Sequence, residues 1–199
     1  MAKNELYNLI VKRRSVRKFY QRKITSGILK KIINAARLAP AAANLQFLEY
    51  ILVKDKKTVD RIFPHTKWAA YISPQGTPGV KERPIYYMAI VINHNRSLNP
   101  DLRDIGAAAE NIILAALSFQ IASCWLGAIN KEKISLLLKL PPHAKLDSLI
   151  ALGYPKENPR IIDSGKRIKY WRDKKGGHYV PKRPLNEILF LNNYGKRWA

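Results

Sequence analysis

The segment Asp104 to Gln120 restricts what this chain can become more than any other. Ile105, Ala108, Ala109, Ile112, Ile113, Ala116 and Leu117 recur at helical spacing, while Ala107, Leu114 and Ala115 make the opposite side apolar too. Only Glu110 and Asn111 interrupt the pattern before Ser118. A helix apolar nearly all round is buried nearly all round. In a chain of 199 residues that leaves two arrangements. Either the helix runs wholly inside one molecule, or a second copy covers part of it, and the second is the expectation.

The remaining pattern alternates helices and strands, so the class is α/β or α+β. Leu6, Ile10 and Val11 predict a first helix over 5–12. A second helix, capped by Thr25 or Ser26, carries Ile28, Leu29, Ile32, Ile33 and Ala36 and stops at Pro40. Strands are predicted over 49–53, 85–92, 121–129 and 148–153, with helices over 58–63 and 131–140. The stretch from Ser73 to Gly79 reads as a loop. From Lys156 onward the chain is basic and rich in Pro and Gly, with one aromatic pair, Tyr170-Trp171. That tail is expected to be an extended arm completing a single domain over residues 1–199 rather than a second domain.

A hydrophobic content of 47% excludes a wholly disordered chain. No charge-free apolar run reaches the roughly 18–20 residues of a membrane span, and Met1 to Glu5 has no signal-peptide core. One cysteine, Cys124, excludes an intrachain disulfide and a Cys-based zinc cage. A soluble, reduced, cytoplasmic protein with no membrane partner is the expectation. The charge is extreme: Lys and Arg exceed Asp and Glu by 36 − 14 = 22. Such a field attracts polyanions and phosphorylated small molecules, or is merely a solvated basic surface.

Familiar catalytic signatures are missing: no P-loop, no G-x-G-x-x-G, no H-E-x-x-H and no G-x-S-x-G. His65, His94, His143 and His178 read as surface or loop residues, and Cys124 as a buried inert thiol. What remains is a set of groups suited to anions and flat rings. Arg13, Arg14, Ser15 and Arg17 offer guanidinium forks, a hydroxyl and turn amides that suit a phosphate monoester. Lys182 and Arg183 form a second cluster near the other end of the chain. The two clusters either converge on one phosphate or stay separate solvated patches. The turn Pro40-Ala41-Ala42-Ala43-Asn44-Leu45-Gln46 presents two amides, which suit the edge of a heteroaromatic ring or simply form a turn.

In order along the chain, Arg13 to Phe19, Ala35 to Gln46, Asp104 to Ile112, Cys124 to Ala128 and Val180 to Ile188 together resemble the FMN-dependent nitroreductase family. The resemblance implies a three-layer α/β/α fold of the α+β class, with a mostly antiparallel sheet and a long central helix. It also implies a homodimer with two FMN molecules at the interface. Arg13, Ser15, Lys182 and Arg183 would bind the phosphate, Arg14 the phosphate or ribityl chain, and Arg17 the ribityl and pyrimidine side. Pro40, Ala41, Ala42 and Asn44 would come from the partner subunit, with Gln46 also among the cofactor-binding residues. Amides of Leu126 and Gly127 would face the ring, with Lys67 and Trp68 near its pyrimidine side or the substrate cleft. The implied reaction is ping-pong: NAD(P)H delivers a hydride to flavin N5, and a flat electron-poor acceptor (nitroaromatic, quinone or flavin) then receives it.

Two positions depart from the family pattern. Ala41 stands where a serine is common, and Phe47-Leu48 where Pro-Trp is usual. One lost neutral hydrogen bond costs on the order of 1 kcal/mol. Two other readings compete: a basic nucleic-acid-binding protein resting on the net charge and on Lys169-Tyr170-Trp171-Arg172, and a flavin-dependent relative with dehalogenating or flavin-modifying activity. No RRM, KH or helix-turn-helix signature supports the first.

Overall fold

Alternation along β3 (Tyr86–Asn93) organises the molecule. In a strand, successive side chains point to opposite faces. Tyr87, Ala89 and Val91 join one buried cluster, and Tyr86, Met88, Ile90 and Ile92 the other. The first cluster takes in α3 (Lys56–Ile62) and α5 (Lys131–Leu137) through Val59, Ile62 and Ile134. The second takes in α2 (Ser26–Arg37) and α4 (Arg103–Ser118) through Leu29, Ile32, Ile105, Ala109 and Ile112. The result is helices on both faces of one sheet, an α+β sandwich of three layers. It is a computed structural model and describes residues 4–197. Met1 to Lys3, at the start of the segment read for a signal core, and the last two residues of the basic tail lie outside them.

The sheet is antiparallel throughout. Its order is β1 (Phe19–Tyr20), β5 (Ala144–Pro155), β3 and β2 (Leu48–Val53), and β4 (Ala122–Leu126) also pairs with β5. Strand β5 is longer than its central apolar run, because pairing with β1 and β3 extends it at both ends. Strand β4 and helix α5 are shorter than the apolar patterning predicts. Helix α1 (Glu5–Lys12) buries none of its residues, and Leu6, Tyr7, Ile10 and Val11 face solvent. On α4, Ala107, Leu114 and Leu117 are only half-buried.

The tail is more folded than an arm. Strands β6 (Arg160–Asp163), β7 (Trp171–Arg172) and β8 (His178–Lys182) form a separate sheet, parallel between β6 and β8 and antiparallel between β7 and β8. A short helix, α6 (Leu185–Ile188), follows. Pairings between residues this far apart leave no local periodicity, so composition alone suggested an extended chain. His178 is a second correction: it lies on β8, 2% exposed, rather than in a surface loop. Among the described residues no helix is long and apolar enough to cross a membrane.

Candidate functional site

Helix α1 ends where Arg13 leaves helical geometry (φ −55°, ψ 129°). The basic segment then runs along the outer edge of β4, fixed by Val16 N–H donating to Ser123 O at 2.9 Å and by the buried side chains of Val16 and Phe19. Arg13 and Arg14 line a cleft of about 520 Å³ with Val16, Ile113, Leu117 and Ile121 as its apolar wall. Arg13 Nε stands 3.4 Å from Glu110 Oε1. Burial, and then the like charge of Arg13, push the Arg14 guanidinium below its usual pKa. A cation under those two pressures is stabilised by an incoming anion.

Arg17 faces elsewhere. Its Nη1 reaches Ser15 O at 3.4 Å and its guanidinium lies over the Tyr170 ring at 5.3 Å. Its Nε is buried and has no hydrogen-bond partner. Leu126 is the last residue of β4 and is paired with β5, and Gly127, just beyond the strand, has its carbonyl taken by the Ile129 N–H at 3.0 Å. Lys67 N–H donates to Ala128 O at 2.9 Å, which brings Lys67 beside Gly127. Trp68, expected near the same cleft, is instead core: it is buried, stacked on Phe63, and donates to Thr66 Oγ1 at 2.8 Å. Cys124 is buried and its thiol is pushed up to about 11 by that burial, which removes it as a nucleophile.

The turn after α2 lies at the other end of α4. Pro40, Ala41 and Gln46 border a cleft of about 190 Å³ with Asp104 and Phe47. The Ala42 N–H donates to both carboxylate oxygens of the buried Asp104, at 3.1 and 3.0 Å. Ala43, Asn44 and Gln46 all have positive φ (48°, 53° and 48°). Non-glycine residues held there cost about 1 kcal/mol each and cluster at functional sites. Phe47, one of the departures from the family pattern, is fully buried among α2 and α4 residues.

The two ends of the chain meet at Arg17, though not through Lys182 and Arg183. Lys182 and Arg183 stand at the end of β8, where Arg183 Nε is 3.5 Å from Glu187 Oε2. The link to the N-terminal segment is made by Glu157, which accepts from Arg17 N–H at 2.5 Å and pairs with Arg172, and by Tyr170 under Arg17. Sequence reading missed Asp104, Glu157 and Arg172 as site residues. A lone acid at a helix start, and one acid in a basic tail, carry no spacing signal. The scarcity of acids in so basic a chain was the available hint.

Three comparisons bear on this geometry. A model described as "Nitroreductase family" matches residues 10–154. An Archaeoglobus fulgidus protein, provisionally named NADH dehydrogenase/NAD(P)H nitroreductase, is 31% identical over 173 residues, covering 82% of this chain and 93% of its own length. A nitroreductase family protein of Clostridium novyi matches in structure with a TM-score of 0.66 and 25% identity, over 98% of this chain and 97% of that one. The same fold occurs in a nitroreductase-like protein of Desulfovibrio desulfuricans solved in complex with FMN (TM-score 0.72, 23% identity, 97% and 99% covered).

Proposed function

The chain belongs to the nitroreductase family, and on that premise we propose that it is an FMN-dependent oxidoreductase carrying electrons from NAD(P)H to a flat, electron-poor acceptor such as a nitroaromatic, a quinone or free flavin. The observation that carries the reading is the cleft of about 520 Å³ that sets Arg13 and Arg14 beside an apolar wall of Val16, Ile113, Leu117 and Ile121. Guanidiniums beside an apolar wall suit a phosphate joined to a flat ring. Arg17, whose guanidinium has no ion-pair partner among the described residues and lies over Tyr170 at 5.3 Å, is the cation left for the pyrimidine side. The neighbouring groups fit the rest of the cofactor. Arg13, Arg14 and Ser15 suit the phosphate, and Gly127, with open space where a Cβ would stand, admits a flat ring.

Arg13, Arg14 and Ser15 would hold the FMN phosphate and Arg17 the pyrimidine side, and the bound flavin would supply the hydride-transfer chemistry. Arg17 places positive charge where negative charge collects on reduction, which lowers the energy of the reduced state. Ile113, Leu117 and Ile121 exclude water from the wall of the cleft. Lys182 and Arg183 join the phosphate site only if Arg183 leaves Glu187.

A second copy completes the arrangement. Helix α4 carries the Arg13/Arg14 cleft toward its C-terminal end, at Ile113 and Leu117, and the Asp104-anchored turn at its start, roughly 14–20 Å apart at 1.5 Å per residue. Antiparallel packing of two α4 helices about a two-fold axis would set Pro40, Ala41, Ala42, Asn44 and Gln46 of a second copy beside the cleft. The exposed apolar residues of α1 and the half-buried side of α4 supply the surface for that contact. Purified protein is expected to be yellow and to bleach with NAD(P)H, and protein that ignores added FMN would refute the reading. Arg13→Ala combined with Arg14→Ala is expected to weaken FMN about 100-fold, two charge-assisted hydrogen bonds. Unchanged affinity by fluorescence titration would overturn the phosphate assignment alone.

A further inference from the structure

We propose that Glu157 and Arg172 are positioning residues that set the charge Arg17 presents to the flavin: Arg172 engages the Glu157 carboxylate and so keeps it off the Arg17 guanidinium. The inference rests on the placement of Arg17 argued above. It assigns the C-terminal sheet a role in tuning the cofactor that neither Lys182 nor Arg183 supplies.

Glu157 lies two residues past the end of β5, with its side chain 7% exposed. One oxygen accepts from the Arg17 backbone N–H at 2.5 Å, and the other pairs with the Arg172 guanidinium, itself 15% exposed. The Arg172 guanidinium thus pairs directly with one nearly buried carboxylate that Arg17 meets only through its backbone N–H, and a buried charge is held by the opposite charge closest to it. The geometry gives that carboxylate to Arg172. Arg17 is left with a carbonyl at 3.4 Å, the face of Tyr170, and a buried Nε that bonds nothing.

The other groups around the knot do not neutralise Arg17. Tyr170 packs against Tyr71 at 5.0 Å and against His178 at 5.7 Å, which holds its ring beneath the guanidinium. His178 is buried with both ring nitrogens unpartnered, and burial holds it neutral down to about pH 4. The cluster thus contains two permanent cations and one anion. Because the anion is committed to Arg172, the surplus positive charge resides on Arg17.

The sign of the response to each charge distinguishes this from a merely structural pair. In Arg172→Met the carboxylate is free to turn to Arg17 and discharge it. In Glu157→Gln the amide oxygen still accepts from the Arg17 N–H, while the negative charge is gone. The test is the two-electron midpoint potential of FMN-loaded parent, R172M, E157Q and the double variant, measured by equilibration with a reference dye. R172M is expected to lower the preference for reduced over oxidised flavin about tenfold, a fall of about 30 mV for a two-electron couple. E157Q is expected to raise it by a similar factor, and the double variant to return within about threefold of the parent. Arg172→Lys, which keeps the charge, is expected to stay near the parent, and it carries the test with E157Q if R172M does not fold. Single variants that shift the potential the same way, or not at all, overturn the inference. A parent protein that takes up no FMN overturns the placement of Arg17 instead, and the inference with it.

Discussion

Strands β3 and β8 each lie inside a sheet of the same chain, yet they are held by different forces. All eight residues of β3 are buried, and its two faces feed two apolar clusters. Of β8, only His178 and Pro181 are buried. Its surroundings are polar and aromatic: Trp171 stacks on Tyr179 at 5.5 Å, Arg167 lies over Trp171 at 5.1 Å, and Tyr179 OH donates to Asp173 at 3.0 Å. The central sheet thus draws on area removed from water, which scales with every buried methylene. The C-terminal sheet draws on directional contacts that are individually small and sensitive to charge. Stability and tuning are divided between the two regions.

Truncation in each sheet is the strongest way to break that comparison. Leu149→Ala removes a fully buried side chain on β5 and is expected to cost about 3–4 kcal/mol. Ile162→Ala on the half-buried face of β6 is expected to cost about 1 kcal/mol or less. Urea unfolding of both variants measures the difference, and equal losses would mean the tail has an apolar core of its own.

The next largest effect belongs to pH. Burial, working against the attraction of Glu157 and with the repulsion of Arg172 and Arg17, lowers the His178 pKa from 6.5 to about 4. Between those values the unfolded chain binds a proton that the folded chain refuses. Stability therefore falls as pH drops from about 6.5 toward 4, by on the order of 3 kcal/mol in all. Denaturation midpoints across that range should show a slope that His178→Phe flattens. A slope unchanged by the substitution would place the acid sensitivity elsewhere.

The smallest effect sharpens the picture within the first region. Ala43 is held at a φ of 48° in the turn anchored by Asp104. Ala43→Gly should raise the unfolding free energy by up to about 1 kcal/mol, because glycine adopts that conformation without a Cβ penalty. A loss of stability would show that the alanine methyl group makes contacts worth more than its strain.

What could be read from sequence follows the range of the interaction. Helix α2, strand β3 and helix α4 announce themselves by the period of their own apolar residues. The start of the loop at Arg13, the stop at Pro40 and the inertness of Cys124 are equally local. The order of five segments, from the basic one at Arg13 through the long helix to Val180–Ile188, carried the resemblance to the family. The buried position of Trp68 did not show, because a tryptophan beside a lysine before a loop reads the same whether its ring stacks on Phe63 or faces a cleft. The tail sheet, the burial of His178 and the pairing of Glu157 with Arg172 did not show either. Each depends on residues brought together by chain reversal.

The sequence by itself determined the alternation of helices and strands, since a strand's period of two and a helix's period of 3.6 assign apolar residues to faces before any contact forms. The resemblance to the family implied the three layers. Only the tertiary structure decided which charges face one another. Electrostatic partners are chosen by distance and desolvation in the folded state, and in a chain with so many cations the few carboxylates could have gone to many of them. That Asp104 went to a turn amide and Glu157 to Arg17 and Arg172 is a consequence of packing, because the buried side chains of Val16 and Phe19 fix where the basic segment lies.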